Sequence, residues 1–240
     1  MAGDFDEMRR LIQDNLSVQR IILSHSYNNA DLVDSINGYN GSNPNAIVYN
    51  PSGIVGGSAT FNGTSSYYQI DPTAMPKVQQ LFNTTGVNAV DEVPATISLM
   101  YRPNSLGEFT PFYNGATTLT LAYTSYNTTL RFYGASGKNI AYNMGALIIG
   151  EKYHITLTFS GVANGTSVRM YINGNYVATS SGSNFPSALL TGVITIGARS
   201  ILDRNLRGDL DELKFWNVCL TDAEVLDLAT KELAGISVTS

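Results

Sequence analysis

The chain has 240 residues, 43% of them hydrophobic, which is enough to fill the core of one large domain or of two small ones. Charged residues make up only 14%, whereas Gly, Tyr, Asn, Ser and Thr are plentiful, a balance typical of a sheet-rich protein. The net charge of −5 argues against nucleic-acid binding by phosphate neutralisation, and no apolar run approaches the roughly 20 residues that span a bilayer.

Residues 1–17 are the exception to this β character. Phe5, Met8, Ile12 and Leu16 recur at helical spacing and predict a short N-terminal helix. Such a short helix is marginal in water and needs a surface to pack on. That surface is either the chain's own domain or an assembly partner. We expect the segment to serve docking or oligomerisation.

The N-terminal sequence lacks the apolar stretch of a signal peptide. We therefore expect a protein that is made in a reducing compartment and is not secreted by the signal-dependent route. Cys219 is the only cysteine, which excludes an intrachain disulfide and a cysteine-rich metal site.

Residues 18–240 are predicted to form a single domain, because short alternating strands separated by turn residues follow one another without a linker. The polar segment 24–53 is interpreted as a loop with apolar anchors, among them Leu32 and Val48. Two strands are predicted within 58–70, on either side of an Asn-Gly turn. Further strands are predicted at 18–23, 95–102, 110–113, 118–123, 129–133, 140–142 and 153–160.

Residues 168–180 predict a β-hairpin with a type I′ turn at Asn173-Gly174, in which Met170 faces Val177. This is the strongest hairpin pattern in the chain, since the turn pair joins two runs of alternating residues. The two strands are therefore expected to share one apolar face.

Residues 193–228 predict a strand, a polar loop, a second strand and a short C-terminal helix. Leu210 and Leu213 belong to the apolar side of the second strand. Thr221 is placed as the N-cap of the helix, and Glu224 three residues later completes a capping box. The pattern is typical of the closing segment of a β-domain.

Six of these segments, in this order, resemble the laminin G-like, or concanavalin A-like lectin and glucanase, superfamily in the form common in bacterial and phage proteins. The resemblance covers all of the chain except the N-terminal helix, and it implies an all-β, antiparallel two-sheet jelly-roll sandwich with a short helix at each end. The matching segments are 32–41, 58–70, 95–102, 153–160, 168–180 and 194–228.

Glucanases of this superfamily carry the pattern Glu-x-Asp-x-x-Glu on a central strand, where two carboxylates act as nucleophile and acid. The most similar string here is 209–214, which has Lys214 in place of the second glutamate and lies in the closing strand. His25 and His154 have no ligand-type spacing, and His154 is interpreted as a surface or half-buried structural residue. No catalytic residue is assigned, and we expect no enzyme activity.

Relatives often hold a structural calcium ion through a carboxylate of the closing strand. The resemblance places Asp211 at that position, with Asn62 and Gly63 as neighbours. Because Ca²⁺ takes six to eight oxygen ligands, one carboxylate does not define a site, and we predict neither a metal nor a cofactor. The alternative role for Asp211 is to accept hydrogen bonds from loop backbone.

Aromatic residues cluster in the middle third of the chain. Those in clean strand alternation are predicted to fill the core, whereas Tyr113 and Tyr126, near loops, are candidates for contacting a ligand. No other ligand-binding residue is assigned. The cluster consists of Tyr101, Phe109, Phe112, Tyr113, Tyr123, Tyr126, Phe132, Tyr133 and Tyr142.

The expected function is that of a non-catalytic binding or structural module. The N-terminal helix, the low charge and the fold favour a virion-associated protein, such as a phage capsid decoration or an adhesion appendage, found in the virion or in the host cytoplasm before assembly. Its partners would be another protein or its own copies through the helix, and cell-surface glycans. A soluble carbohydrate-binding module is the alternative, and a glucanase-type glycoside hydrolase is the third hypothesis.

Overall fold

The computed structural model describes residues 21–74, 94–115, 119–124, 128–134, 139–160, 167–180, 192–199 and 204–238. The N-terminal helix predicted over residues 1–17 lies outside these ranges. Within them are one α-helix, α1 (Asp222–Leu233), and a 3₁₀ turn at Pro72–Ala74. The strands are β1 (Ile21–His25), β2 (Ser42–Asn45), β3 (Val48–Val55), β4 (Gly57–Asn62), β5 (Tyr67–Ile70), β6 (Ala95–Pro103), β7 (Phe109–Asn114), β8 (Leu119–Thr124), β9 (Thr129–Tyr133), β10 (Asn139–Asn143), β11 (Tyr153–Phe159), β12 (Val168–Ile172), β13 (Asn175–Thr179), β14 (Ile194–Ile196) and β15 (Arg207–Trp216).

The strands form two antiparallel sheets. The eight-stranded sheet has the order β13-β12-β11-β6-β15-β4-β3, with β1 paired to β15 beside this path. The seven-stranded sheet has the order β10-β9-β8-β7-β14-β5-β2. Strands far apart in sequence are neighbours, as expected when the chain crosses repeatedly between two layers of a jelly roll. The predicted two-sheet sandwich and the predicted C-terminal helix are confirmed.

The hydrophobic core lies between the two sheets, because alternate side chains of each strand point inward. Aromatic rings meet across the interface: the ring centroids of Phe112 and Phe215 are 5.8 Å apart, and those of Phe132 and Phe159 are 5.4 Å apart. All four side chains are at most 2% exposed. Burying each of them contributes roughly 1.5–3 kcal/mol to the driving force for folding.

Strand β15 is shared between two partners along one edge. Its first four residues pair with β4 and its last four with β1, while β6 pairs along the other edge. A β-bulge between Asp211 and Lys214 separates the two halves, and Glu212 within it has φ of 49°, which residues other than glycine rarely adopt. The bulge explains why Leu210 and Leu213, three residues apart, both belong to the core.

Helix α1 packs on the outer face of the eight-stranded sheet through a second apolar cluster. The side chain of Thr221 accepts a hydrogen bond from the Glu224 N–H, and the Glu224 carboxylate accepts one from the Thr221 N–H, which confirms the predicted capping box. None of the described helices has the length and apolarity that spanning a membrane requires. The cluster consists of Ile21, Tyr171, Trp216, Leu220, Val225 and Leu228.

The two strands predicted within 58–70 are present, but they do not pair with each other. Strand β4 belongs to the eight-stranded sheet and β5 to the seven-stranded sheet, so the chain crosses between layers here. The Asn62 side chain holds this crossing, because its Oδ1 accepts hydrogen bonds from the N–H groups of Thr64, Ser65 and Ser66. The Asn-Gly pair therefore begins a longer connection rather than a two-residue hairpin turn.

The β12–β13 hairpin has the predicted turn but not the predicted register. Asn173 and Gly174 have φ of 52° and 79°, as a type I′ turn requires. An irregularity between Met170 and Tyr171 shifts the pairing, so that Met170 faces Ala178 instead of Val177. A bulge of one residue is enough to change every later pair in a hairpin.

The segment interpreted as a loop, 24–53, contains β2 and most of the edge strand β3. Leu32 is buried, as predicted for an anchor, whereas Val48 is 65% exposed and anchors nothing. The Asp34 carboxylate organises the intervening loop by accepting hydrogen bonds from four backbone N–H groups, those of Ser24, Ile36, Asn37 and Tyr39. Strand β3 contains a proline, which is tolerated at the edge of a sheet, and this proline favoured the loop interpretation.

Candidate functional site

A row of polar and aromatic side chains crosses the outer face of the seven-stranded sheet. Its members are directly opposite one another from strand to strand, so the row follows from the register of the sheet. We call this set the polar row. It consists of Asn139, Tyr133, Thr120, Tyr113, Thr195, Gln69 and Ser42, one residue from each strand.

The two tyrosines are the largest side chains of the polar row. Phe112 and Phe132 belong to the core, so Tyr113 and Tyr133, which follow them in sequence, point to the opposite face. Both tyrosines are half-buried, whereas Thr120 between them is 7% exposed. Tyr113 and Tyr133 therefore present most of the row's central surface, with apolar ring faces and hydroxyl groups at the tips.

The seven-stranded sheet is almost free of charge. Its strands, as bounded above, contain no Asp, Glu or Lys, and Arg131 is their one charged residue. Hydroxyl and amide groups on this face can donate and accept hydrogen bonds without a strong charge preference. Such a surface suits a hydroxyl-rich ligand better than a densely charged macromolecule.

The aromatic cluster divides between the core and this face. Tyr101, Phe109 and Tyr123 are at most 3% exposed and fill the core together with Phe112 and Phe132, as predicted. Tyr142 packs against the core's edge. Tyr113 lies on the outer face, as its candidacy requires, and Tyr126 lies outside the described residues.

Tyr133 is a functional candidate that the sequence analysis listed in the aromatic cluster without singling it out. Strand β9 reads Thr-Leu-Arg-Phe-Tyr, and Leu130 and Phe132 occupy its inward positions. Arg131 could have indicated the outward position of Tyr133. A charged residue in a strand usually points to solvent, and Tyr133, two residues later, points to the same side.

The acidic string of the closing strand fastens the sheet instead of forming a site. The Asp209 carboxylate pairs with Arg102, whose Nη2 lies 2.6 Å from its Oδ2, and accepts a hydrogen bond from the Thr60 hydroxyl. Asp211 and Glu212 are fully buried. A glycosidic bond cannot reach carboxylates in these positions, so the string offers no pair of acids for hydrolysis.

Asp211 has the alternative role that the sequence left open. Its Oδ2 accepts a hydrogen bond of 2.7 Å from the Val55 N–H, and its Oδ1 accepts one from the Glu212 N–H. Burial, reinforced by the Glu212 carboxylate, raises the pKa of Asp211 to about 9. Asn62 lies opposite Arg207, four residues along β15 from Asp211, so the structure does not bring Asn62 beside Asp211 as the calcium hypothesis requires. Among the described residues, no three His, Cys, Asp or Glu side chains are grouped as metal ligands would be.

A buried ionic cluster lies between α1 and the eight-stranded sheet. The Lys214 ammonium contacts the carboxylates of Glu212 and Glu232, and His154 Nε2 lies 3.0 Å from Glu232 Oε2. All four side chains are fully buried, so the interpretation of His154 as a surface or half-buried residue is wrong: α1 covers its face of the sheet. We call these four residues the buried ionic cluster.

The charges of the buried ionic cluster support one another. Burial by itself would lower the pKa of Lys214, but the Glu232 and Glu212 carboxylates outweigh it and raise that pKa. Burial would likewise raise the pKa of Glu232, and the Lys214 ammonium outweighs it, so that this pKa lies below its usual value. The cluster is closed off from any ligand and serves to fix α1.

The remaining sequence candidates are structural. His25 is buried, with Nδ1 3.0 Å from the Tyr68 hydroxyl and Nε2 3.1 Å from the Tyr39 carbonyl oxygen. Burial lowers the pKa of His25. Cys219 is half-buried, and burial raises the pKa of its thiol, which disfavours the reactive thiolate.

Solved structures of low sequence identity share this fold. Domain 4 of AbnA, an extracellular GH43 arabinanase from Geobacillus stearothermophilus solved in complex with arabinotriose, superposes with a TM-score of 0.63 at 23% identity, covering 88% of this chain and 98% of that one. The binding domain of Paraclostridial Mosquitocidal Protein 1 gives 0.67 at 16% identity, covering 88% and 52%.

A botulinum neurotoxin serotype D ligand-binding domain, solved in complex with N-acetylneuraminic acid, gives a TM-score of 0.65 at 14% identity, covering 90% of this chain and 52% of that one. The chain thus spans about half the length of the two toxin binding domains. A search of curated protein sequences finds no match. A laminin G family model, described as the concanavalin A-like lectin/glucanases superfamily, matches residues 62–226. The chain belongs to this superfamily, as its segment order predicted.

Proposed function

We propose that this protein is a non-catalytic carbohydrate-binding module and that its ligand lies along the polar row. The single observation that carries the proposal is the position of Tyr113 and Tyr133 on the outer face of an almost uncharged sheet. Sugar rings combine apolar faces with hydroxyl edges, and tyrosine side chains match both features. The amides of Gln69 and Asn139 extend the hydrogen-bonding groups toward both ends of the row.

The spacing of the tyrosines suits an oligosaccharide better than a single sugar. Strand β8 separates β9 from β7, so Tyr133 and Tyr113 are two interstrand distances apart, roughly 9–10 Å. At that distance the two aromatic rings can contact different sugar rings of one chain. Contact at two positions would also compensate for the small area that each tyrosine buries.

The comparisons support this proposal at the level of the fold. Two of the similar structures were solved with a sugar bound, arabinotriose in one and N-acetylneuraminic acid in the other. Neither fixes the ligand of this chain, since folds of this kind serve many functions. The absence of a reachable acid pair in the 209–214 string supports a binding role over hydrolysis by that string.

A glycan array followed by calorimetric titration of the best ligand tests the proposal. Tyr113→Ala and Tyr133→Ala should each weaken binding about tenfold, equivalent to ~1.4 kcal/mol, because each removes one stacking surface. Tyr176→Ala is the matched control, since Tyr176 is an exposed tyrosine of the other sheet, 47% exposed. An array without ligands, or variants that bind like the wild type, would overturn the proposal.

The setting in which this module works stays a prediction. Attachment to a virion, and location there or in the host cytoplasm before assembly, depend on the predicted helix over residues 1–17, which lies outside the described residues. We keep the proposal that this segment docks the domain or joins copies of it. Light-scattering chromatography of the chain with and without the segment checks it, and an unchanged monomer in both cases would contradict it.

A further inference from the structure

Arg131 is the one charged residue in the seven strands that carry the polar row. It lies at the centre of strand β9, and its side chain points outward because Leu130 and Phe132 point into the core. It therefore shares the face of Tyr133, two residues further along the same strand. A single charged side chain at the middle of an otherwise neutral face suggests a specific role for that charge.

The immediate cross-strand neighbours of Arg131 are small. Ala122 of β8 and Ala141 of β10 lie directly opposite it. Alanines on both sides leave the guanidinium without a carboxylate, a hydroxyl or an aromatic ring as its direct partner in the sheet. The groups next to this position are the hydroxyls and rings of the polar row on one side, and Thr124 and Thr129 on the other.

The described residues do not provide a carboxylate partner for the Arg131 side chain. Arg102, Arg169 and Arg204 each form an ion pair with a carboxylate, but Arg131 forms none with the described residues. Its Nε is shielded from solvent and has no hydrogen-bond acceptor among those residues. The side chain as a whole is half-buried, so part of the guanidinium stays open to solvent, and there a bound anion can accept hydrogen bonds that the protein leaves unmade.

We propose that Arg131 binds the carboxylate of an acidic sugar, so that the ligand of the polar row is a glycan containing sugar acids. This inference rests on the proposed carbohydrate-binding function and adds the chemical class of the sugar. The planar guanidinium offers parallel N–H donors that match the two oxygens of a carboxylate, which a lysine ammonium cannot do. The adjacent tyrosines would then contact the ring that carries the acid or the ring next to it.

Because the net charge of the protein is −5, a preference for acidic glycans depends on this local contact. An acidic glycan gains no general attraction from a protein that is negatively charged overall. Its preference over a neutral glycan must therefore come from a specific cation on the binding face. In the seven strands that cation is Arg131.

The test uses two sugars that differ only in the acid group, methyl β-glucuronide and methyl β-glucoside, each titrated into the full chain and followed by NMR. The wild type should bind the glucuronide at least about tenfold more tightly than the glucoside. Arg131→Gln should remove this preference by weakening glucuronide binding. Arg131→Lys, which keeps the charge but loses the planar fork, should retain a smaller preference.

Lys231→Gln is the matched control, because it removes one positive charge from α1, away from the seven-stranded sheet, and should alter neither affinity. If both sugars bind equally to the wild type, or if Arg131→Gln keeps the preference, the inference fails while the carbohydrate-binding proposal stands. If neither sugar binds and the glycan array is also empty, both proposals fail. A sulfated glucoside that binds as tightly as the glucuronide would overturn the choice of a carboxylate.

Discussion

The two outer faces of the sandwich differ in how many charged side chains they carry and in whether a helix covers them. The eight-stranded sheet places several charged side chains on its outer face and covers them with α1, so that Lys214 and Glu232 are fully buried. The seven-stranded sheet has hydroxyl, amide and tyrosine side chains on its outer face, one arginine, and no helix packed above it among the described elements. Charge is thus concentrated where the chain closes on itself, and neutral polarity lies where a ligand can approach.

This difference teaches where a function should be sought in the molecule. Moving a charged side chain from water into the protein costs several kcal/mol, so a buried charge needs an opposite charge beside it. The paired charges under α1 therefore hold elements of the protein together. Uncharged polar groups at a partly exposed surface carry no such requirement. They remain available for exchange with a ligand's hydroxyl groups.

The largest expected effect comes from removing the cation of the buried ionic cluster. Lys214→Met leaves the Glu212 and Glu232 carboxylates buried without a counter-charge, and it should lower the free energy of unfolding by about 3–5 kcal/mol at neutral pH. Urea denaturation measures this loss. Lys231→Met removes a partly exposed ammonium of α1 that pairs with Asp227 at the surface, and it should change this free energy by less than about 0.5 kcal/mol. A loss below about 1 kcal/mol for Lys214→Met would mean that the closed face does not depend on its ion pairs.

A second effect, spread over several pH units, should appear in the pH dependence of stability. The pKa of Asp211 is raised from 3.8 to about 9, so its contribution to stability is fully present below about pH 3.8 and is lost as the pH rises toward 9. Asp211→Asn fixes the side chain in a neutral form. The free energy of unfolding should therefore decline less steeply for this variant between pH 5 and pH 9, by up to about 1.4 kcal/mol per pH unit.

Denaturation at a series of pH values measures that slope. Asp227→Asn is the control for the loss of one carboxylate, since Asp227 is an exposed residue of α1. A decline for Asp211→Asn parallel to that of the wild type would show that Asp211 ionises freely in the folded protein.

The smallest expected effect lies on the open face and has the opposite sign. Ala141→Glu places a carboxylate directly opposite Arg131, and this cross-strand pair should raise the free energy of unfolding by about 0.2–1 kcal/mol. The same carboxylate should occupy the guanidinium and abolish the preference for the glucuronide over the glucoside. Ala141→Gln, measured by denaturation and titration alongside it, should do neither. Equal stability of the two variants would indicate that Arg131 is already satisfied.

The fold was largely predictable because its signals are local. Alternation predicted β6 and β11, and Thr221 with Glu224 predicted the start of α1 from four residues. The failures came where one residue changes a register, as at the bulge beside Met170. They came also where a strand is an edge strand with little to bury, as in β3, whose Val48 is exposed.

The candidate site was less predictable because it depends on distant pairings. Tyr113 and Thr195 are neighbours in the polar row although 82 positions separate them, and no local pattern announces that contact. The outward position of Tyr133 could have been predicted, since Arg131, two residues earlier in the same strand, is charged and therefore expected to point to solvent. The burial of His154 could not be read from β11 at all, because the element that covers it, α1, lies some seventy residues later in the chain.

The shared edge of β15 has a consequence for the order in which this protein can fold. Strand β1, near the start of the chain, pairs with β15 and with no other described strand, and β15 also separates β6 from β4. The eight-stranded sheet therefore stays divided until residues 207–216 have been synthesised and inserted. Contacts of such long sequence separation form slowly, because the loop must close before the pairing stabilises it. A nascent chain released before this strand would expose the edges of β6, β4 and β1 together, and such unpaired edges are the places where β-proteins aggregate.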